Sequence, residues 1–458
     1  MRYNKMILSY TGGLGALLFS KEDLRKLLVP LMLEQLLAVT IGMMDTMMVA
    51  NCGEAAVSGI SLVDSISVLF INMFSALATG GAVVASQYLG RKERENASIA
   101  SKQLFYTILL VSTSVMVIFL AMRYPLLNMV FGHIDADVME SAQTYFWITT
   151  LSYPFLAMYN ASAALLRAMG NAKASLYTSL VMNIVNIVGN AVLIYVVGRG
   201  VAGAAVATLT SRIIGAFVIQ HTLSNPHNLI PYPVLHKFEW RGDMVKRILT
   251  VGVPTGLESS FFQFGKLVLL RMISTFGTAS IAANAVANSL TTLQVLPGNA
   301  IGLAMVAVVG RCIGAKEFDQ VRYYVKKLML KCYAYMGALN IVMLLCTGIL
   351  TGLYHLTPEA DTMARQIIML HGVGCIFLWP MSFVLPNALR AANDARFTMT
   401  VSCFSMVAFR IVFGFLLAKQ FGYGVVGVWM AMQIDWVFRI ICFVWRFKSG
   451  AWEKKQLI

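Results

Sequence analysis

The chain has 458 residues, 58% of them hydrophobic and 12% charged, with a mean hydropathy of +0.71. That balance excludes an ordinary soluble protein and describes an all-α polytopic membrane protein. The formal net charge of +15 would suit a nucleic-acid binder, but the placement of the basic residues argues against nucleic acid. Seven cysteines carry no C-x-x-C and no His/Cys cluster, so they imply neither a disulfide framework nor a zinc site.

In chain order, the first 20 residues hold a short Gly-interrupted apolar patch and no cleavable signal peptide. Twelve membrane helices are predicted, near 27–50, 57–88, 99–122, 141–165, 174–197, 201–221, 246–274, 281–310, 328–353, 364–388, 398–418 and 426–446. Helices 2, 7 and 8 are longer than a bilayer requires. The first helix contains two carboxylates, Glu34 and Asp45, in an otherwise apolar run. An acid inside such a run costs several kcal/mol, roughly 2.5 to 3.5 on insertion scales, so it lines a polar cavity or has a partner. Their spacing puts them within roughly 20° of one helix face and about 16 Å apart along the axis. Between helices 6 and 7 lies the longest polar stretch, with Pro226, Pro231 and Pro233. The domains are therefore expected to be 1–222 and 246–458, two six-helix bundles, joined by a linker at 223–245.

Alternating the loops across the membrane puts 27 of the 36 Lys and Arg on one side. Only Arg123, Arg199, Arg365 and Lys419 fall on the other. By the positive-inside rule both termini are expected in the cytoplasm, with the basic excess against anionic lipid. The expected location is the plasma (inner) membrane.

The chain also repeats itself. Shifted by 224 residues, positions 29–93 align without a gap on 253–317, with 14 of 65 identical, among them Pro30/Pro254, Glu34/Glu258, Gly90/Gly314 and Lys92/Lys316. Leu166-Arg167-Ala168 and Asn171-Ala172-Lys173 recur as Leu389-Arg390-Ala391 and Asp394-Ala395-Arg396. Six helices per half is an even number, so the halves enter the membrane in the same direction, as parallel repeats about an axis along its normal.

Three stretches carry a family resemblance: D-T-M-M-V-A-N-C-G-E-A-A-V-S-G from Asp45, L-R-A-M-G-N-A-K from Leu166 with its second copy from Leu389, and V-G-R-C-I-G-A from Val309. With the 6+6 repeat, they make the chain resemble the multidrug and toxic compound extrusion (MATE) transporters over nearly its whole length. The resemblance implies a V-shaped pair of bundles that exports organic cations or other amphipathic compounds by alternating access, driven by inward H⁺ or Na⁺ and without a cofactor. The expected partners are the substrate and the lipid bilayer, with the protein a monomer.

Asp45 matches the family's helix-1 coupling acid. Glu34 reads equally as a coupling acid or as a brace between helices, and Glu258 matches an acid that many relatives carry in helix 7. Asn186 and Asn190 share a face of helix 5. Some relatives carry Asp at the second of these positions, where Asn190 cannot ionise; both are candidates for lining the cavity or for bonding between helices. Helix 10 lacks the acid found in some relatives, and His371 is either its titrating substitute or a hydrogen-bonded core histidine. Asp435 is expected to pair with Arg439 at i,i+4, near Arg410. Lys266 and Arg271 either pair with Glu258 or Asp435 or bias the second cavity towards neutral or anionic substrates.

No P-loop, H-E-x-x-H or G-x-S-x-G occurs, which argues against ATP-driven transport and against an intramembrane enzyme. The runner-up reading is a flippase for lipid-linked saccharides, which shares the architecture; the acidic first helix argues against it.

Overall fold

The computed structural model describes residues 17–132, 134–231, 238–455 and 458. The amino-terminal apolar patch before Leu17 and residues 232–237 of the central linker, Pro233 among them, lie outside them. Every regular element described is helical, as a bilayer demands, since a helix satisfies its own backbone hydrogen bonds.

Twelve spans follow one another. They are α1 (Lys21–Ala50), α2 (Glu54–Gly90), α3 (Arg94–Ala121), α4 (Ala136–Thr150 and Tyr153–Ala168), α5 (Ala172–Val196) and α6 (Gly200–Leu223), then α7 (Gly242–Ser274), α8 (Thr278–Gln294 and Leu296–Gly314), α9 (Phe318–Leu345), α10 (Pro358–Phe377 and Pro380–Ala391), α11 (Ala395–Gln420) and α12 (Gly424–Lys448). Among the described residues, nine are long and apolar enough to cross a membrane alone, counting the second segment of α8, and the bent α10 makes a tenth. The linker is shorter than expected, because α6 reaches Leu223 and α7 begins at Gly242. α2 and α7, at 37 and 33 residues, are overlong as expected. α8 is broken instead, at Val295 ahead of Pro297. α4 and α10 break ahead of Pro154 and Pro380, and the α10 bend is 66°. In each case the proline lacks an amide and starts the next segment, where none is needed. α1 opens on a capping box: Ser20 Oγ accepts from the Asp23 amide at 3.1 Å and Asp23 accepts from the Ser20 amide at 2.9 Å.

The repeat is written into the backbone. Gly53 and Gly277 have φ of 102° and 95°, Lys92 and Lys316 have 64° and 59°, and Gly422 and Gly198 have 73° and 71°. Lysine rarely adopts a left-handed φ, so its recurrence at matched positions marks two copies of one turn.

One apolar core draws mainly on α2–α6 and the other mainly on α7–α12. The start of α1 crosses over: Leu24, Leu27, Leu28 and Leu31 are buried with Ile301, Met305 and Val308 of α8. The halves meet closely at the end that carries the described termini. A Cβ on Gly80 would meet the Ile248 carbonyl at 2.5 Å, and one on Gly90 would run into the Arg311 carbonyl. One on Gly314 would run into the Gln87 carbonyl. Gly90 and Gly314 are repeat mates, as are Gln87 and Arg311, so the contact is self-complementary about a pseudo-two-fold axis. Gln87 Nε2 adds bonds of 2.9 Å to the Ala391 carbonyl and to Asn393 Oδ1.

Candidate functional site

Both carboxylates of α1 face α5, as their spacing requires. Glu34 Oε1 accepts from Ser175 Oγ at 2.8 Å and lies 3.6 Å from Arg167 Nη1 on α4. Three turns on, Asp45 Oδ1 accepts from Asn190 Nδ2 at 2.6 Å. With the Asn186 amide turned so that its NH₂ faces Asp45, Nδ2 lies 2.6 Å from Oδ1 and 3.1 Å from Oδ2. That orientation gives the carboxylate donors on both sides. Asn190 Oδ1 is buried with no hydrogen-bond partner. A half-buried carboxylate beside an unsatisfied amide oxygen is an oxygen-rich cluster suited to a proton or a small hard cation.

Two further charges border the cluster. Asp64, in the first third of α2, is exposed, with Ser61 and Ser65 exposed beside it. Arg212 on α6 donates to Ser152 Oγ at 2.7 Å and is close enough to Asp45 and Asp64 to act on both electrostatically. The sequence reading passed over Arg212, although a cation in the middle of an apolar span was signal enough.

The second half repeats the brace and not the cluster. Glu258 Oε1 accepts from Arg390 Nη2 at 2.8 Å and lies 3.7 Å from Arg439 Nη2, and Thr398 Oγ1 lies 3.5 Å from Oε2. Arg390 and Thr398 are the counterparts of Arg167 and Ser175 at the 223-residue offset. The duplicated glutamates therefore anchor α4 to α1 and α10 to α7 through largely buried ion pairs. The expected Asp435–Arg439 pair gives way to another: Arg439 turns to Glu258, while Asp435 lies 3.8 Å from Arg410 on α11. Along one helix i,i+4 partners are neighbours, but a buried glutamate that needs a second cation draws Arg439 across.

A cavity of about 310 Å³ lies between α2, α7, α8, α11 and α12, in the half of the molecule away from the closed seam. Lys266 and Arg410 are on its wall with Trp429 and Asn284. Lys266 is ion-paired with neither Glu258 nor Asp435, and Arg271 lies off the wall. His371 is buried behind the wall. Its Nδ1 is 2.5 Å from Gln294 Oε1 and its ring stands edge-on to Trp429 and Trp436. Asn186 and Asn190 also lie off this wall, at Asp45.

A duplicated membrane bundle that closes at one end, keeps a cavity in the other and holds a half-buried carboxylate between two asparagines has the architecture of a membrane transporter. The MatE family model matches residues 30–192 and 254–416, one copy per half, and the chain belongs to that family. It is 26% identical over 435 residues to the uncharacterized transporter YisQ of Bacillus subtilis, covering 93% of this chain and 94% of that protein. It is 24% identical over 448 residues to the probable multidrug resistance protein NorM of Thermotoga maritima, covering 96% and 94%. Among solved structures, the outward-facing conformation of a multidrug resistance MATE family transporter superposes with a TM-score of 0.87 at 19% identity, over 94% of this chain and 96% of that one. The protein is thus a multi-pass membrane transporter.

Proposed function

We propose that the protein exports organic cations or other amphipathic compounds across the plasma membrane by alternating access, driven by inward H⁺ or Na⁺. Residues 1–222 and 246–458 act as the two moving lobes. The observation that carries this reading is Asp45, an acid held between Asn186 and Asn190 beside an unsatisfied amide oxygen. Similarity to proteins named for multidrug resistance supports the substrate class. In everted vesicles, the fluorescent cation ethidium is expected to accumulate under an imposed H⁺ or Na⁺ gradient. No accumulation of ethidium, or of the anionic dye fluorescein, under either gradient, with the protein present and folded, would refute the proposal.

The same reading puts the described termini in the cytoplasm and the α1–α2 turn outside. Cys52 in that turn is a free, half-buried thiol, and burial pushes it up from the ordinary thiol range. Thiolate is the reactive form. An impermeant maleimide should therefore label Cys52 in intact cells slowly at neutral pH and faster as the pH rises. Labelling of a cysteine placed at Lys92 in intact cells, with Cys52 silent at every pH, would reverse the orientation.

A further inference from the structure

The cavity wall carries charge of one sign. Among the described residues, the only ionisable side chains on it are Lys266 and Arg410. The two share one aromatic ring, with Lys266 Nζ 5.3 Å and Arg410 Cζ 4.9 Å from the Phe262 centroid. Arg410 has one carboxylate neighbour, Asp435, at 3.8 Å, and its Nε and Nη1 make no hydrogen bond. Among the described ion pairs Lys266 has no partner, and Glu258 is already held by Arg390 and Arg439. Two cations therefore face an apolar cavity with one acid behind them. A binding wall so built favours an acidic group over a simple organic cation.

We propose that this cavity is a binding site for a free amphipathic compound bearing an acidic group, whose carboxylate, sulfonate or phosphate meets Lys266 and Arg410 while its apolar body lies against Val68, Leu270 and Trp429. This rests on the export reading and narrows its substrate class. The lobes then differ in sign. The first holds Asp45 and Asp64 with Arg212, and the second presents Lys266 and Arg410 to the substrate. A compound with both a basic and an acidic group satisfies both sides of the cleft. The separation also keeps the coupling ion and the substrate's charged group from competing for one residue.

The test is binding to purified full-length protein in phosphatidylcholine nanodiscs, followed by fluorescence anisotropy with two xanthene dyes of opposite charge. Fluorescein is the anion and tetramethylrhodamine ethyl ester the cation. Fluorescein should bind, Lys266→Met should weaken it by about tenfold or more, and Lys266→Arg should restore it. The ester should bind Lys266→Met at least as well as wild type. Equal fluorescein affinity in wild type and Lys266→Met would overturn the site. So would weaker binding of fluorescein than of the ester to wild type, a comparison that needs no variant. Displacement of fluorescein by phosphatidic acid in the disc would overturn the free compound in favour of a lipid headgroup. Because these readouts are binding alone, they separate from the vesicle experiment. Lys266-dependent binding without gradient-driven movement of either ethidium or fluorescein leaves the site and removes the export reading; ethidium movement without fluorescein binding does the reverse.

Discussion

Asp45→Asn is expected to reduce gradient-driven export to the level of vesicles lacking the protein, with membrane abundance and thermal stability close to wild type. Asn keeps the shape and the carbonyl oxygen that accepts from Asn190 at 2.6 Å, so the packing of α1 on α5 survives. It removes the charge that attracts a proton or cation, and no second carboxylate on α5 replaces it, because position 190 is Asn. The comparison variants behave differently. Glu34→Gln and Glu258→Gln each leave a largely buried arginine without its acid, and breaking a fully buried pair costs about 3–5 kcal/mol. Their principal effect is a lower melting temperature and a smaller folded fraction. Transport and melting curves on the three purified variants decide the matter. Wild-type export by Asp45→Asn, with export lost only in a stably folded Glu258→Gln, would move the coupling site to the second half.

The second large effect is expected at the seam between the halves. Gly90→Ala with Gly314→Ala would drive two methyl groups into backbone carbonyls of the opposite half. Overpacking of this kind costs about 1–3 kcal/mol per site, and backbone cannot step aside as a flexible side chain can. The closed seam should lose several kcal/mol relative to the state in which it is open, enough to invert an equilibrium of that size. Each half keeps its own core, so melting should change little. Spin labels at positions 173 and 396 should move apart in the double variant, and transport should fall by about tenfold or more. An unchanged label distance with full transport would show that the glycines do not set the seam.

Most of the fold was legible because apolar length and the 224-residue repeat are both properties of the sequence itself. Pro30 and Pro254, Glu34 and Glu258, and Gly90 and Gly314 all occupy matching places. The breaks were harder. α8 reads as one apolar run, and only Pro297 hints that it stops at Val295. The π-helical turns at Ala191–Val196 and Leu416–Gln420 carry no residue signal at all. At the site, the shared face of Glu34 and Asp45 follows from helix geometry, but their partners do not. Arg167 and Arg390 recur in the repeat as faithfully as the two glutamates, and matching one repeated charge to the other would have found the braces. Arg439 could not be placed this way, since its choice of Glu258 over Asp435 depends on how α7 and α12 pack.

The partners of the two α1 acids also bear on how the chain is made. Ser175 and Asn190 follow Glu34 and Asp45 by 141 and 145 residues. At about 5–20 residues per second, a ribosome takes roughly 7–30 s to supply them. Over that interval the first span carries two acids without these hydrogen-bond donors, each costing roughly 2.5 to 3.5 kcal/mol in lipid. α1 is therefore expected to linger at the insertion machinery, and the emergence of α5 is the event that releases it into the bilayer.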